Sequence, residues 1–214
     1  GMGGSEKVVF DIVRKLDKSR YDIVVISFDD GPVAAVYRGL GVKVRIVGGP
    51  GLAATAWNLR RVLVDEKIEI MNPHHFGPFF RSFIAACGLG IGCVYTEHSR
   101  WQMEQLPGVW RSVHRFMLQR VSAVVALSPA IERYYADEIC LDRGRIHVIP
   151  NGVDLDLYRP TDGPASRRGG DPEDTVIGTI AHLRPEKNHK VLIKAFKTLV
   201  DQGTKGRLVV VGRD

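Results

Sequence analysis

Residues 180–188, I-A-H-L-R-P-E-K-N, decide how this chain of 214 residues folds. An apolar run, residues 175–180, precedes them, and an amphipathic pattern (Val191, Leu192, Ala195, Phe196, Leu199) follows. That order predicts a strand delivering a loop to the start of a helix. His182, Arg184 and Lys187 lie on the loop. The first N–H groups of a helix lack intrahelical partners and carry the positive end of its dipole, so cations gathered there make an anion site. Phosphate fits such a site, with lysine as a mobile point charge and arginine as a planar fork.

The same alternation of strand and helix runs outward through the whole chain. Residues 21–28, 42–47, 68–71, 92–96, 123–127, 145–149 and 207–212 read as further strands. Helical patterns fill residues 5–16, 32–40, 52–66, 78–87, 108–121 and 129–139. Ser128-Pro129 is an N-cap followed by proline at the first helical position, and Gly41 and Gly88 stand where helices stop. This pattern predicts an α/β protein with a Rossmann-like, doubly wound parallel sheet covered by helices. Residues 161–174 (T-D-G-P-A-S-R-R-G-G-D-P-E-D) are nearly devoid of apolar side chains and read as a linker. They separate a first domain, 1–160, from the first β-α-β unit of a second, 175–214. Gly1-Met2-Gly3-Gly4 opens a helix, and such a loop normally follows a strand. The expectation is a fragment whose first sheet lacks its central strand.

Composition narrows the function classes. The net charge of +6 and an isoelectric point near 9.3 favour anionic partners. No basic run with interleaved aromatics and no reading motif points to nucleic acid. Cys87, Cys93 and Cys140 are odd in number and lack C-x-x-C spacing, which argues against a disulfide framework or zinc site and suits a reducing cytoplasm. Cys87 and Cys93 have apolar sequence neighbours and are expected to be buried. No signal peptide, P-loop, nucleophilic triad or metal-ligand cluster is visible, and the longest uncharged apolar stretch, 83–95, is too short to span a membrane.

Four segments in order, G-M-G-G-S-E (1–6), V-Y-T-E-H-S (94–99), V-I-P-N-G-V-D-L-D-L-Y-R-P (148–160) and the 180–188 loop, resemble the retaining glycosyltransferases of family 4, which have the two-domain GT-B fold. The resemblance covers nearly the whole chain. It implies transfer of a sugar, a hexose by type, from a nucleotide-diphosphate donor to a glycan or lipid-linked hydroxyl with retained configuration. No cofactor or metal is implied. The family's second-domain E-x7-E motif would lie beyond residue 214, so the fragment alone is expected to be inactive.

Site residues follow from the same resemblance. Gly3 and Gly4 would face the donor diphosphate, whereas Glu6 reads as a first-turn carboxylate favouring the helix dipole. His98 would be the catalytic-site histidine that contacts the sugar, with His74 a weaker candidate and His75 simply exposed. Lys187 matches the phosphate-binding lysine. The family's arginine five positions earlier is His182 here, so either protonated His182 or Arg184 must take that role. Asn151-Gly152 forms a structural turn that Asp154 can cap, and the resemblance marks it as the interdomain hinge. Residues 100–120 mix Trp101, Trp110, Phe116 and Met117 with Arg100, Arg111, His114, Arg115 and Arg120. Trp110, Val113, Met117 and Val121 form a core-facing stripe, and the basic aromatic remainder could touch anionic lipid. Two rivals stand beside the main reading: an NAD-dependent oxidoreductase, with Asp29 as ribose carboxylate, and a non-catalytic glycan- or lipid-binding module.

Overall fold

A computed structural model describes residues 3–98, 103–159 and 175–212. Two compact units are present, Gly1–Val153 and Asp154–Asp214. The predicted linker, 161–174, lies outside the described residues, as do Gly1, Met2, Ser99, Arg100 and Trp101.

The first unit alternates as its periodicity predicts: α1 (Gly4–Lys15), β1 (Val24–Ser27), α2 (Pro32–Arg38), β2 (Lys43–Ile46), α3 (Gly51–Asp65), β3 (Ile70–Met71), α4 (Phe76–Ala85), β4 (Gly92–Thr96), α5 (Gly108–Leu118), β5 (Ala123–Ala126), α6 (Pro129–Arg133) and β6 (Ile146–Val148). All strand pairs are parallel. The ladders fall into a pair, β1-β2, and a set of four, β3-β4-β5-β6, with no ladder bonds from β1 to β3 among the described residues.

The helix ends show how local chemistry sets the boundaries. Ser128 Oγ accepts from the Ile131 N–H at the start of α6, with Pro129 behind it. Gly41 and Gly88 have φ of 70° and 75°, a left-handed backbone that glycine adopts without a Cβ clash. At the far end of α5 the Arg145 guanidinium donates to the carbonyls of Leu118 (3.1 Å), Gln119 (3.2 Å) and Val121, tying β6 to a helix terminus whose dipole favours a cation. The predicted helix 129–139 is α-helical only to Arg133; Tyr134–Glu138 widens into a π-turn.

Two apolar clusters hold this unit. The larger gathers Phe79 of α4, Tyr95 of β4, Met117 and Leu118 of α5 and Tyr135 of the π-turn, and Phe79 and Tyr95 stack at 4.2 Å. The smaller joins Leu59 and Leu63 of α3 to Val47 and Ala85. Burying each large side chain stabilises by roughly 1.5–3 kcal/mol, and β4 and β5 both set residues into the larger cluster. Cys93 is buried in it, but Cys87 is exposed, because the helix stops at Ala85 and the chain turns outward at Gly88.

The second unit contains β7 (Thr175–Ile180), a single 3-10 turn (Pro185–Lys187), α7 (His189–Asp201) and β8 (Gly206–Val211), with β7 and β8 parallel in full register. None of the residues in α7 is buried, and Ile180, Val191, Ile193 and Val211 are exposed.

Candidate functional site

Ligands in open parallel sheets bind beyond the carboxyl ends of the strands, and the register of β3 on β4 decides what meets there. Ile70 lies opposite Gly92 and Met71 opposite Cys93, so residues 72–75 and 96–98 leave the ladder side by side. Thr96 N–H donates to the Pro73 carbonyl (3.2 Å) and His75 N–H to the Thr96 carbonyl (3.1 Å). This brings Asn72, His74, His75, Glu97 and His98 together at one edge.

Glu97 is the hub. It is fully buried, yet its carboxylate is well supplied with donors: Tyr95 O–H to Oε2 (2.7 Å), His98 backbone N–H to Oε1 (2.8 Å) and His75 Nδ1 to Oε1 (2.9 Å). Hydrogen bonds of this kind favour the charged form and offset its burial. Burial, and then Tyr135 and the Glu97 charge, push the Tyr95 hydroxyl well above its usual range, so it stays a donor. His75 is therefore a structural partner of Glu97, half-buried, and not the exposed side chain expected from sequence. Its φ of 68° is rare for a non-glycine residue and is held by the Glu97 and Thr96 bonds.

His74 and His98 stack with ring centroids 5.1 Å apart, and His74 Nδ1 lies 2.7 Å from His98 Nε2. Burial, reinforced by the neighbouring His98 and His75, pushes His74 down to about 4. His98 is lowered by burial and then by His75. Both rings are neutral at pH 7, and a neutral imidazole both donates and accepts, as sugar hydroxyls require. His98 thus sits at the strand edge, oriented through its backbone by Glu97 and through its ring by His74.

Behind this edge lies His114, which the sequence grouped with the basic residues of α5. It is completely buried against the rings of Phe76 (5.3 Å), Tyr95 (5.5 Å) and Phe79 (6.0 Å), and neither ring nitrogen has a hydrogen-bond partner among the described residues. Burial drives it down to about 4. Trp110, expected on the core-facing stripe, is exposed, and His114 instead shares the buried face of α5 with Met117 and Leu118, three and four residues further on.

Gly3 caps α1 and Gly4 is its first residue. The Glu6 carboxylate reaches back to accept from the Gly3 N–H, as a first-turn carboxylate should. In the second unit His182, Arg184 and Lys187 all follow β7, with Arg184 opening the 3-10 turn and Lys187 closing it. Arg184 and Lys187 are exposed, and Asn188 enters α7 in a left-handed conformation. His189 Nε2 donates to the His182 carbonyl (2.9 Å), fastening the loop to the helix start. Among the described residues no group of three or more His, Cys, Asp or Glu could hold a metal. Sequence reasoning missed Asn72, Glu97 and the role of His75. The adjacent T-E-H and N-P-H-H runs were the available signal, but only the β3–β4 register joins them.

The family model for Glycosyltransferase Family 4 matches residues 2–157. The chain belongs to this family. EpsF of Bacillus subtilis strain 168 is 24% identical over 98% of this chain and 59% of its own length. The phosphatidylinositol N-acetylglucosaminyltransferase GPI3 subunit of Saccharomyces cerevisiae is 24% identical over 99% of this chain and 50% of its own. The family 4 chain therefore spans between half and three-fifths of the length of these relatives. Among solved structures, Anabaena Alr3699/HepE in complex with UDP-glucose superposes on all of this chain and 58% of its own, with a TM-score of 0.79 at 19% identity. That likeness shows the Rossmann-like architecture of the GT-B fold. The family match takes in the glycine loop and Asp29, which leaves the NAD reading without support.

Proposed function

We propose that the protein to which this chain belongs transfers a hexose from a nucleotide-diphosphate donor to a glycan or lipid-linked hydroxyl, with retention. The observation that carries this reading is a neutral, doubly oriented His98 at the carboxyl edge of β4 in a chain of glycosyltransferase family 4. In this reading His98 binds sugar hydroxyls from the first unit. Lys187, with Arg184 or His182, holds the donor diphosphate and stabilises the charge that develops on it as the glycosidic bond breaks, without a metal. Gly4 leaves room at the start of α1, whereas at Gly3 the Glu6 carboxylate fills the space beside the backbone and accepts from its N–H. The UDP-glucose bound by Alr3699/HepE supports a nucleotide-sugar donor, and the phosphatidylinositol in the GPI3 subunit's name supports a lipid acceptor.

A peripheral contact with anionic membrane belongs to the same proposal. Val109, Trp110 and Phe116 are exposed on α5 beside exposed Arg111 and Arg115, the pairing of apolar and basic groups that a charged lipid surface attracts. Among the described residues no helix is long and apolar enough to cross a membrane. Titrating the full-length protein with nucleoside diphosphate sugars, and following transfer with stereochemical analysis of the product, tests the reading. Binding and product of retained configuration are expected; an inverted product removes the retaining mechanism, and no binding by a folded protein removes the transferase.

A further inference from the structure

The hydrogen bonds at the strand edge fix more than the position of His98: they fix which of its nitrogens carries the proton. The Val94 carbonyl can only accept. Asn72 Nδ2 donates to it and also to Thr96 Oγ1 (3.1 Å), so the amide orientation of Asn72 is set by β4 itself. Asn72 Oδ1 is then the atom 2.9 Å from His74 Nε2, which must donate to it. A neutral His74 with a protonated Nε2 has a lone pair on Nδ1. His98 Nε2, 2.7 Å from that lone pair, must therefore carry its own proton. The remaining nitrogen, His98 Nδ1, is left with an open lone pair and no protein partner among the described residues.

We infer that Asn72 and His74 are positioning residues that lock His98 as the Nε2–H tautomer and so present its Nδ1 as a hydrogen-bond acceptor to a sugar hydroxyl. This rests on the proposed role of His98 and specifies it: the site recognises a hydroxyl that donates, at one fixed point. The low proton affinity of the buried His74 keeps the relay neutral throughout the neutral range. An unlocked imidazole would divide its population between two tautomers and show a donor to the hydroxyl part of the time.

Ring-nitrogen NMR of the full-length protein, which distinguishes protonated from unprotonated imidazole nitrogens, tests the lock without reference to activity. In the native protein His98 should show a protonated Nε2 and a bare Nδ1. His74→Phe keeps a ring to stack on His98 but removes both nitrogens. Asn72→Ala removes the anchor. Each should leave His98 as a mixture of tautomers and raise KM for the sugar substrate roughly threefold to tenfold, the weight of one hydrogen bond. His74→Asn, whose side-chain oxygen can occupy the place of Nδ1, should restore both readouts, with melting temperatures checking that every variant is folded. A protonated Nδ1 on native His98 would overturn the relay while leaving transfer, if observed, intact. Unchanged tautomer and KM in His74→Phe would reduce His74 to packing and equally overturn it. A native protein with the expected tautomer that binds no sugar nucleotide would instead overturn the transferase reading and the purpose assigned to the lock.

Discussion

The carboxyl ends of β4 and β7 occupy equivalent places in two parallel ladders, yet they are built by opposite means. Beyond β4 the groups are packed and mutually bonded, neutral imidazoles around one carboxylate: Glu97 is buried among its donors, and His98 has a partner on its ring and another on its backbone. Beyond β7 the cations Arg184 and Lys187 stand on an exposed loop that a 3-10 turn and the bond from His189 to the His182 carbonyl help to hold. The difference suits what the proposed function asks each to hold. A neutral imidazole has direction but little reach, so its ring and its proton must be fixed by neighbours. A permanent charge attracts an anion over several ångströms and can swing into place, so long side chains in water suffice.

The contrast is broken most severely at Glu97. Glu97→Leu strands the Tyr95 hydroxyl in the core and leaves the half-buried His75 Nδ1 without its carboxylate, and we expect a loss of about 3 kcal/mol or more, the cost of breaking a buried charged network. Urea unfolding of the variant and native protein measures it. A comparably drastic substitution in the β7 loop should leave the melt unchanged.

Acid sharpens the same contrast. His114 titrates at 6.5 when unfolded and about 4 when folded. Between those values the unfolded chain binds more protons, so stability rises with pH. The contribution is complete above about pH 6.5 and falls away as pH drops to 4, a loss of roughly 3 kcal/mol. His74, pushed down to about 4 as well, adds in the same window. Unfolding free energies at pH 7, 5 and 4 should show this slope, and His114→Phe should remove the share of His114. At pH 7 that variant should stay within about 1 kcal/mol of native, since it also removes two unpartnered nitrogens.

On the β7 side the effect should appear in binding alone. Lys187→Ala is expected to weaken donor affinity by about 1.5–3 kcal/mol, the worth of one charge-assisted hydrogen bond, whereas Lys190→Ala, at the start of α7, should change it little. Both are exposed, so neither should shift the melting temperature. Smallest of all is the exposed Lys197–Asp201 pair on α7, 2.7 Å apart. Lys197→Ala should cost no more than about 0.5 kcal/mol in thermal unfolding.

The elements on both sides were legible because their signals are local. The apolar runs 92–96 and 175–180 coincide with β4 and β7, and the caps at Ser128, Gly41 and Gly88 behave as their side chains require. The cation-bearing loop between strand and helix was equally legible, since it is a property of nine consecutive residues. The network around His98 was not. Glu97 and His75 are 22 residues apart, and only the parallel register of β3 on β4 makes them neighbours. His114 shows a third case: its position in a helical stripe was readable, but an ionisable residue among arginines was grouped by charge when spacing should have governed.

The claim that sugar and diphosphate are held by these two different devices is tested most directly by calorimetry with two ligands, the nucleoside diphosphate and the corresponding nucleotide sugar. The full-length protein, Lys187→Ala and His98→Phe are compared. Lys187→Ala should weaken both ligands about tenfold or more, because the diphosphate they share is left without one charge-assisted hydrogen bond. His98→Phe should leave the nucleoside diphosphate unchanged and weaken only the nucleotide sugar. Equal losses for both ligands in His98→Phe, or undiminished diphosphate binding in Lys187→Ala, would contradict the account.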